Sequence, residues 1–367
     1  MKPPEIARRR IRNSRLTGDG FETPDEAVRW HLAMQAQDYG PAKWSIAQRS
    51  TGLVSGDLDE ALASGSIIRT HVLRPTWHFV AADDIRWLLA LSGPRVQQGS
   101  AGRYRELGLD GKTRARAEKV IVSALEGGNR LTRKEIATVL DDAGIDREGQ
   151  RLPYILSHCE LEAVIASGGL AGKQQTFALL DGRVPAAGPF DRDDALVELV
   201  RRYLTSHGPA TVKDMSWWSG LTMTDLRKAL DLLGPSEVLR ETVDGLDLWS
   251  IATDDAAPPV RGVHLLQTYD ELVVGFTESR FYGDPGAEQA RAAWGDRTYP
   301  SGGFLLNGRI GGHWRRTLER DAVAVQVHRY GELKRGDTNA IEKAAADLGR
   351  FHGLPVELEV RSASSSR

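Results

Sequence analysis

Residues 211–251 carry the pattern that most narrows what this 367-residue chain folds into. TVKDMSWWSG reads as a short helix ended by Gly220. Thr222 stands three residues before Asp225, a variant of the capping-box spacing with Asp in place of Glu or Gln, and opens a second helix over about MTDLRKALDLL. SEVLRETV and LDLWSI then read as strands joined by Asp244-Gly245, a dipeptide that readily takes the positive φ angles of a two-residue hairpin turn. Two helices followed by a hairpin is the winged-helix layout, in which the second helix is the candidate reader of a DNA groove.

The same order recurs twice with divergent sequence. In 131–181, Thr132 and Glu135 have capping-box spacing before IATVLDDAGI, a helix that Gly144 helps to end. RLPYILSHCEL is the second helix, and AVIASGG and QQTFALL are strands joined through Gly168, Gly169 and Gly172. In 23–80, TPDEAVRWHLAM begins with Thr23 as cap and Pro24 at the first helical position. PAKWSIAQRS and LDEALASG follow as helices, the latter capped by Asp57 or Ser55, and SIIRTHVL and TWHFVA form a strand pair around Arg74-Pro75.

Residues 260–367 change character: VHLLQTYDELVVGF, GGFLLNGRIGGHWRRTL, AVAVQVHRY and PVELEV are strand-like, Asn307-Gly308 marks another hairpin, and NAIEKAAADLGRF is a helix capped by Thr338 or Asn339. The expected class is α+β, tandem winged-helix modules with a C-terminal β-rich, barrel-like domain. The divisions are 1–100 (a basic arm and the first module), 101–190, 191–257 and 258–367, with the last boundary in DDAAPP, 254–259. The tail SASSSR reads as disordered.

Composition bounds the partners. With 41% hydrophobic and 27% charged residues there is apolar material for several cores, yet no run of about 18 apolar residues, so no membrane span is expected. MKPPEIARRRIRNSR lacks the apolar stretch of a secretory signal, and the single Cys159 allows neither an internal disulfide nor a Cys-based zinc site, which fits the cytoplasm. The net charge of −2 is unevenly spread. Lys2, Arg8, Arg9, Arg10, Arg12 and Arg15 face a lone Glu5 at the N-terminus, and Arg309, His313, Arg315, Arg316 and Arg320 form a second basic cluster. Such faces either bind phosphate or are simply solvated.

Most enzymatic signatures are missing: no Walker loop, no G-x-S-x-G, no H-E-x-x-H and no Cys/His metal spacing. His71 and His78 fall on different strands or faces of a hairpin with no third ligand, which favours a structural role. What remains is Gln35-Ala36-Gln37-Asp38, after the first helix and before Gly40-Pro41. On a continuing helix, residues two apart diverge by roughly 200°; in an extended segment they share a face, and two amides converge. Glutamine is a poor proton acceptor, but it both donates to and accepts from a water and aims a carbonyl dipole at positive charge. That modest power suits a leaving group already activated, such as a purine alkylated at N7 of guanine or N3 of adenine. The competing reading is a chance pairing on a polar surface, with Asp38 either a turn residue or a water-activating carboxylate. Lys43, the nearest lysine, lies within the next helix, so no Schiff-base nucleophile is expected.

LAMQAQDYGPAKWSIAQRS, SIIRTHVLRPTWHFVAADD, LLQTYDELVVGF and LLNGRIGGHWRR, in that order, resemble the AlkZ/YcaQ family of bacterial winged-helix DNA glycosylases from about Thr23 to about Val360. The family signature is Gln–aliphatic–Gln in AlkZ-like members and Gln–aliphatic–Asp in YcaQ-like ones; Gln35-Ala36-Gln37 matches the former. The resemblance implies that Gln35 and Gln37 position water and support the sugar cation. It also implies double-stranded DNA with alkylated purines as partner, in some members bulky antibiotic adducts or interstrand crosslinks in self-resistance. No cofactor or metal is expected, and a monomer suffices. Candidate DNA contacts are Arg8, Arg9, Arg12, Arg69, Arg74, Arg309 and Arg315. On an unbulged strand Arg309, His313 and Arg315 share one face and Arg316 lies on the other, with Trp314 packed inside. The alternatives are a non-catalytic winged-helix transcriptional regulator and a lesion-binding protein that releases no base.

Overall fold

The computed structural model describes residues 1–186, 188–252, 257–294, 302–332 and 334–362. The basic N-terminus is no free arm. It forms a helix, Pro3–Asn13, with Ile6, Ala7, Arg10 and Ile11 buried. The Arg10 guanidinium donates to the Pro209 carbonyl at 2.8 Å and to Ser279 O and Oγ at 2.7 and 2.6 Å, and lies over the Phe276 ring. A buried guanidinium with its donors satisfied is a structural pin.

Thr23 caps the helix Pro24–His31 in a capping box with Glu26. Leu32, at φ 66°, then turns the chain into a short strand, Ala33–Gln35. Tyr39–Ala47 and Ser55–Ser64 follow as helices; the latter is capped at Val54, whose N–H donates to Asp57, so neither Ser55 nor Asp57 is the N-cap. Ile67–Val72 and Arg74–Ala81 pair antiparallel around Leu73 at φ 63°, which places Arg74 and Pro75 in the second strand. Ala33–Gln35 adds to the far edge of Arg74–Ala81, completing three strands.

Two long helices that the sequence pattern did not mark, Ile85–Glu106 and Gly111–Leu125, lead into the next unit. There Arg133–Asp142, with the anticipated Thr132/Glu135 box, and Arg151–Leu161 precede the strands Ile165–Ala171 and Gln174–Leu179. The turn sits at Gly172 alone. Gly168 and Gly169 lie at a register shift inside the first strand, where a Cβ on Gly168 would come within 2.7 Å of Thr176 Oγ1. Another unmarked helix, Arg192–His207, is capped by Asp191. Val212–Ser219, Met223–Leu233 and the hairpin Val238–Val243/Leu246–Ile251 then match the pattern at 211–251, with Asp244 and Gly245 at φ 49° and 82°.

The C-terminal region holds a five-stranded half-barrel sheet in the order Val356–Ser362, Val323–Arg329, Arg309–Leu318, Gly302–Leu306, Val263–Leu265. It is open rather than closed. The first pair is parallel, and the helix Arg335–His352 makes the crossover such a pair requires, starting ahead of Thr338 and Asn339. VHLLQTYDELVVGF is not one strand: after Val263–Leu265 the chain turns, and Asp270 caps a short helix, Glu271–Val274. Gly302–Leu306 and Arg309–Leu318 meet at the anticipated Asn307-Gly308 turn, but the register shifts between Phe304 and Leu305. The Phe304 ring lies against Gly311 and Gly312, where any Cβ would clash.

One core joins Leu32, Val80 and Leu88 to Tyr203 and Trp218; another joins Met34, Ala36, Trp44 and Phe79 to Phe304, Trp314, Val325 and Leu348. The first strand pair is therefore packed on one side by the 191–251 helices and on the other by the sheet. Indole N–H groups of Trp44 and Trp314 donate to the carbonyls of Leu265 and Leu266, at 2.8 and 2.7 Å, so each buried ring keeps its polar atom satisfied. A third cluster, including Tyr104, Ile121, Leu140 and Phe177, is built within 104–177 alone. Residues 254–256 of DDAAPP and the tail 363–367 lie outside the described residues. No helix among those described is long and apolar enough to cross a membrane.

Candidate active site

Ala33–Gln35 is a strand, set between a helix that stops at His31 and one that starts at Tyr39, and the chain bends at Gln37 and Asp38. Gln35 pairs with His78, and the Ala36 N–H donates to the Trp77 carbonyl at 2.7 Å, so the pairing continues past the strand. Met34 and Ala36 are packed in the core, while the Gln35 and Gln37 side chains each meet a different donor. Gln35 is 7% exposed and Gln37 is exposed. The Gln35 carbonyl oxygen accepts from Arg74 Nη2 at 3.2 Å, and that of Gln37 accepts from the Trp77 backbone N–H at 3.4 Å. Both partners are pure donors, so they decide which end of each amide is oxygen. Each oxygen keeps a second lone pair.

Beneath Gln35 lies a carboxylate that the sequence reading did not single out. Glu271 is 1% exposed and accepts from the Gln35 N–H at 2.6 Å, Trp218 Nε1 at 2.9 Å and His207 Nε2 at 3.2 Å. Burial alone drives a carboxyl pKa up; here the bond and charge of His207, with the Gln35 amide, outweigh it and hold Glu271 well below the carboxylate range. An acid pair, Asp270-Glu271, inside an otherwise apolar segment was the available signal, since acids are seldom buried unless paired. His78, opposite Gln35, is held neutral by burial and by the Arg74 charge, with its pKa lowered to about 3. His71 Nδ1 donates to the Glu160 carboxylate at 2.5 Å, beside Trp77, whose Nε1 donates to the same carboxylate at 3.3 Å.

Arg69 and Arg74 flank the amides. Arg69 Nε donates to the Ala36 carbonyl at 2.9 Å and Nη2 to that of Gln37 at 3.3 Å, while its guanidinium lies 4.5 Å from the centroid of Trp77. Arg74 lies 5.6 Å from the centroid of Trp217, an indole 44% exposed and tied through Nε1 to the Val274 carbonyl. Burial lowers the pKa of both guanidiniums. Asp38 is exposed and makes no side-chain cap bond to the helix it precedes. Lys43 is occupied by Ser55 and Asp59, at 2.6 and 2.8 Å.

The remaining candidates are scattered. Arg309 and Arg315 are exposed, but the bulge separates them. Arg309 pairs with Leu306, on the face of Trp314, whereas Arg315 shares the opposite face with His313 and donates to Gln326 at 2.6 Å. The sharing of one face, which an unbulged strand would allow, does not occur. Trp314 packs inside as anticipated, at 3% exposed. Arg316, on the Trp314 face, reaches toward Gly40 and feels the Asp38 charge; burial lowers its pKa to about 10. It is thus the arginine of that strand nearest the amides. Arg8, Arg9 and Arg12 are half-buried on the N-terminal helix, with Arg9 paired to Glu5 at 3.1 Å. A concavity of about 1300 Å³ between Gln48, Leu53, Lys343 and Arg350 does not include the amides, of which Gln37 is exposed and Gln35 buried.

The chain belongs to the AlkZ-like DNA glycosylase family, whose profile matches residues 28–351. It is 24% identical over 351 residues to the interstrand DNA cross-link repair glycosylase of Streptomyces sahachiroi, covering 89% of this chain and 90% of that one. Its fold matches the solved structure of the S. sahachiroi DNA glycosylase AlkZ with a TM-score of 0.79 at 21% identity, over 98% of this chain and 100% of that one.

Proposed function

We propose that this glycosylase hydrolyses the N-glycosidic bond of cationic alkylated purines in double-stranded DNA, N7-alkylguanine and N3-alkyladenine, and that it acts as a monomer without metal or cofactor. The observation that supports this reading is that the amides of Gln35 and Gln37, two residues apart at the end of one strand, are each oriented by a donor. Water donates to the free lone pair of one amide and accepts from the NH2 of the other. As the C1′–N bond breaks, its electron pair neutralises the cationic base, which therefore needs no acid to leave. The amide dipoles favour the oxocarbenium-like sugar, the water oxygen bonds to C1′, and its proton passes to solvent.

The helix pairs with hairpins at 131–179 and 211–251 serve as winged-helix modules, with Arg151–Leu161 and Met223–Leu233 facing a groove. In this reading the chain divides at 1–100, 101–190, 191–257 and 258–367. Arg8, Arg9, Arg12, Arg309 and Arg315 contact phosphates, while Arg69 and Arg74 hold the amides. Open surface around Gln37 leaves room for bulky adducts, and the activity in the S. sahachiroi relative's name supports crosslinked purines as further substrates.

A panel of defined lesions tests this, with released base measured by mass spectrometry. N7-methylguanine and N3-methyladenine should be released, with uracil, hypoxanthine and unmodified guanine nearly inert. EDTA should have no effect, and borohydride should trap no covalent complex. Efficient uracil release, or a trapped adduct, would demand an acid or nucleophile that this site does not contain.

A further inference from the structure

Asp270 and Glu271 are adjacent, both buried, and differently neutralised. Asp270 is clamped by the Arg49 guanidinium at 2.7 and 2.9 Å and by Ser45 at 2.6 Å. Its charge is cancelled where it sits. Among the described residues Glu271 forms no ion pair with an arginine or lysine; it accepts from the Gln35 amide, the Trp218 indole and the His207 imidazole. His207 is fixed in turn by Ser206 at 2.8 Å and by stacking on Tyr203 at 4.7 Å. The ion-pair partner of Glu271 among the described residues is the His207 imidazole, where Asp270 has a permanently charged guanidinium, and a buried anion is costly to hold unless its field is used.

The field falls on Gln35. Arg74, bound to the Gln35 oxygen at 3.2 Å, brings a positive charge to a place where, in the reading above, a cationic sugar must form. That is the wrong sign, and Glu271 is the opposite charge on the other side of the same residue. We propose that Glu271 is a positioning residue for the glycosylase reaction, holding the Gln35 peptide in register while its buried charge offsets Arg74 and favours the cationic sugar. This rests on the proposed role of Gln35.

Glu271→Gln tests it, since the amide retains an oxygen for the Gln35 N–H and loses the charge. Two duplexes separate charge from shape: one with a pyrrolidine abasic analogue, cationic at neutral pH, and one with neutral tetrahydrofuran. Glu271→Gln should bind the tetrahydrofuran duplex within about twofold of wild type, lose roughly tenfold or more of its preference for pyrrolidine, and excise N7-methylguanine more slowly by a similar factor. An unchanged preference, or equal weakening on both duplexes, overturns the proposal. Arg74→Gln keeps a donor for the Gln35 oxygen and removes the opposing charge. It should increase the pyrrolidine preference, and a decrease overturns the proposal even if Glu271→Gln does not fold. Failure of the wild-type enzyme to release N7-methylguanine would instead sink the functional reading, because the analogue comparison does not depend on turnover.

Discussion

Two hairpins of this molecule carry paired arginines to different ends. On Ile67–Val72/Arg74–Ala81, Arg69 and Arg74 are half-buried, bonded to the amides or carbonyls of the Gln35–Gln37 segment and set over indole rings. On Gly302–Leu306/Arg309–Leu318, Arg309 and Arg315 are exposed, and Arg315 donates to the neighbouring Gln326. In a water-poor site a fixed charge or dipole acts at full strength and needs no reorganisation, whereas a solvated arginine is screened within about 8–10 Å. Under the proposed function the first hairpin would shape the chemistry and the second would supply a field for the DNA polyanion.

The sharpest test of that contrast is the amide pair itself. Gln35→Ala with Gln37→Ala should lower single-turnover release of N7-methylguanine by roughly ten- to thousandfold, with little change in DNA affinity or folding. A double variant at the wild-type rate would remove the chemistry from this segment. Arg69→Ala comes next. Losing its bonds to the Ala36 and Gln37 carbonyls should cost about ten- to a hundredfold in excision rate through misplacement of Gln37. If DNA affinity falls and the rate constant does not, Arg69 belongs with the solvated set instead.

Acid should also distinguish the buried floor. His31 and His78 have folded pKa values lowered to about 3, by burial first and then by the charges of Arg49 and Arg74 respectively. Unfolding exposes both to protonation near pH 6.5, so the unfolded state binds more protons below that pH and stability falls on acidification. Each histidine contributes about 1.4 kcal/mol per pH unit between the two values. Glu271, lowered to about 2, adds a loss of the same sign only below about pH 4.5. Chemical denaturation at pH 7, 6 and 5 measures the slope, and His78→Gln should reduce it by close to one proton. An unaltered slope would mean that His78 is already charged in the fold. The smallest effect belongs to the exposed hairpin: Arg309→Ala with Arg315→Ala should leave base release at saturating enzyme unchanged and reduce the salt dependence of DNA binding by about one unit per lost phosphate contact. An unchanged salt dependence would shift the phosphate contacts elsewhere, Arg8, Arg9 and Arg12 being next.

Legibility in the sequence followed the range of the interaction. The caps at Thr23, Thr132 and Thr222 and the positive-φ turns at Asp244-Gly245 and Asn307-Gly308 are set by residues within a few positions of one another. Helices such as Ile85–Glu106 escaped because burial on several sides erases a clean polar–apolar alternation.

The residues of the chain alone thus determined the helix–helix–hairpin units and their turns. Tertiary structure alone decided that Glu271 lies beneath Gln35, 236 positions away in the chain, and that Arg316 rather than Arg315 turns toward Asp38. It also decided that Arg309 and Arg315 part company, because the Phe304 ring settles against Gly311 and Gly312 and shifts the register. Capping and turn geometry cost or gain free energy locally, so a short window of sequence contains the answer. A buried charge or a bulge is settled by which distant surfaces are pressed together, and that information is spread over the whole chain.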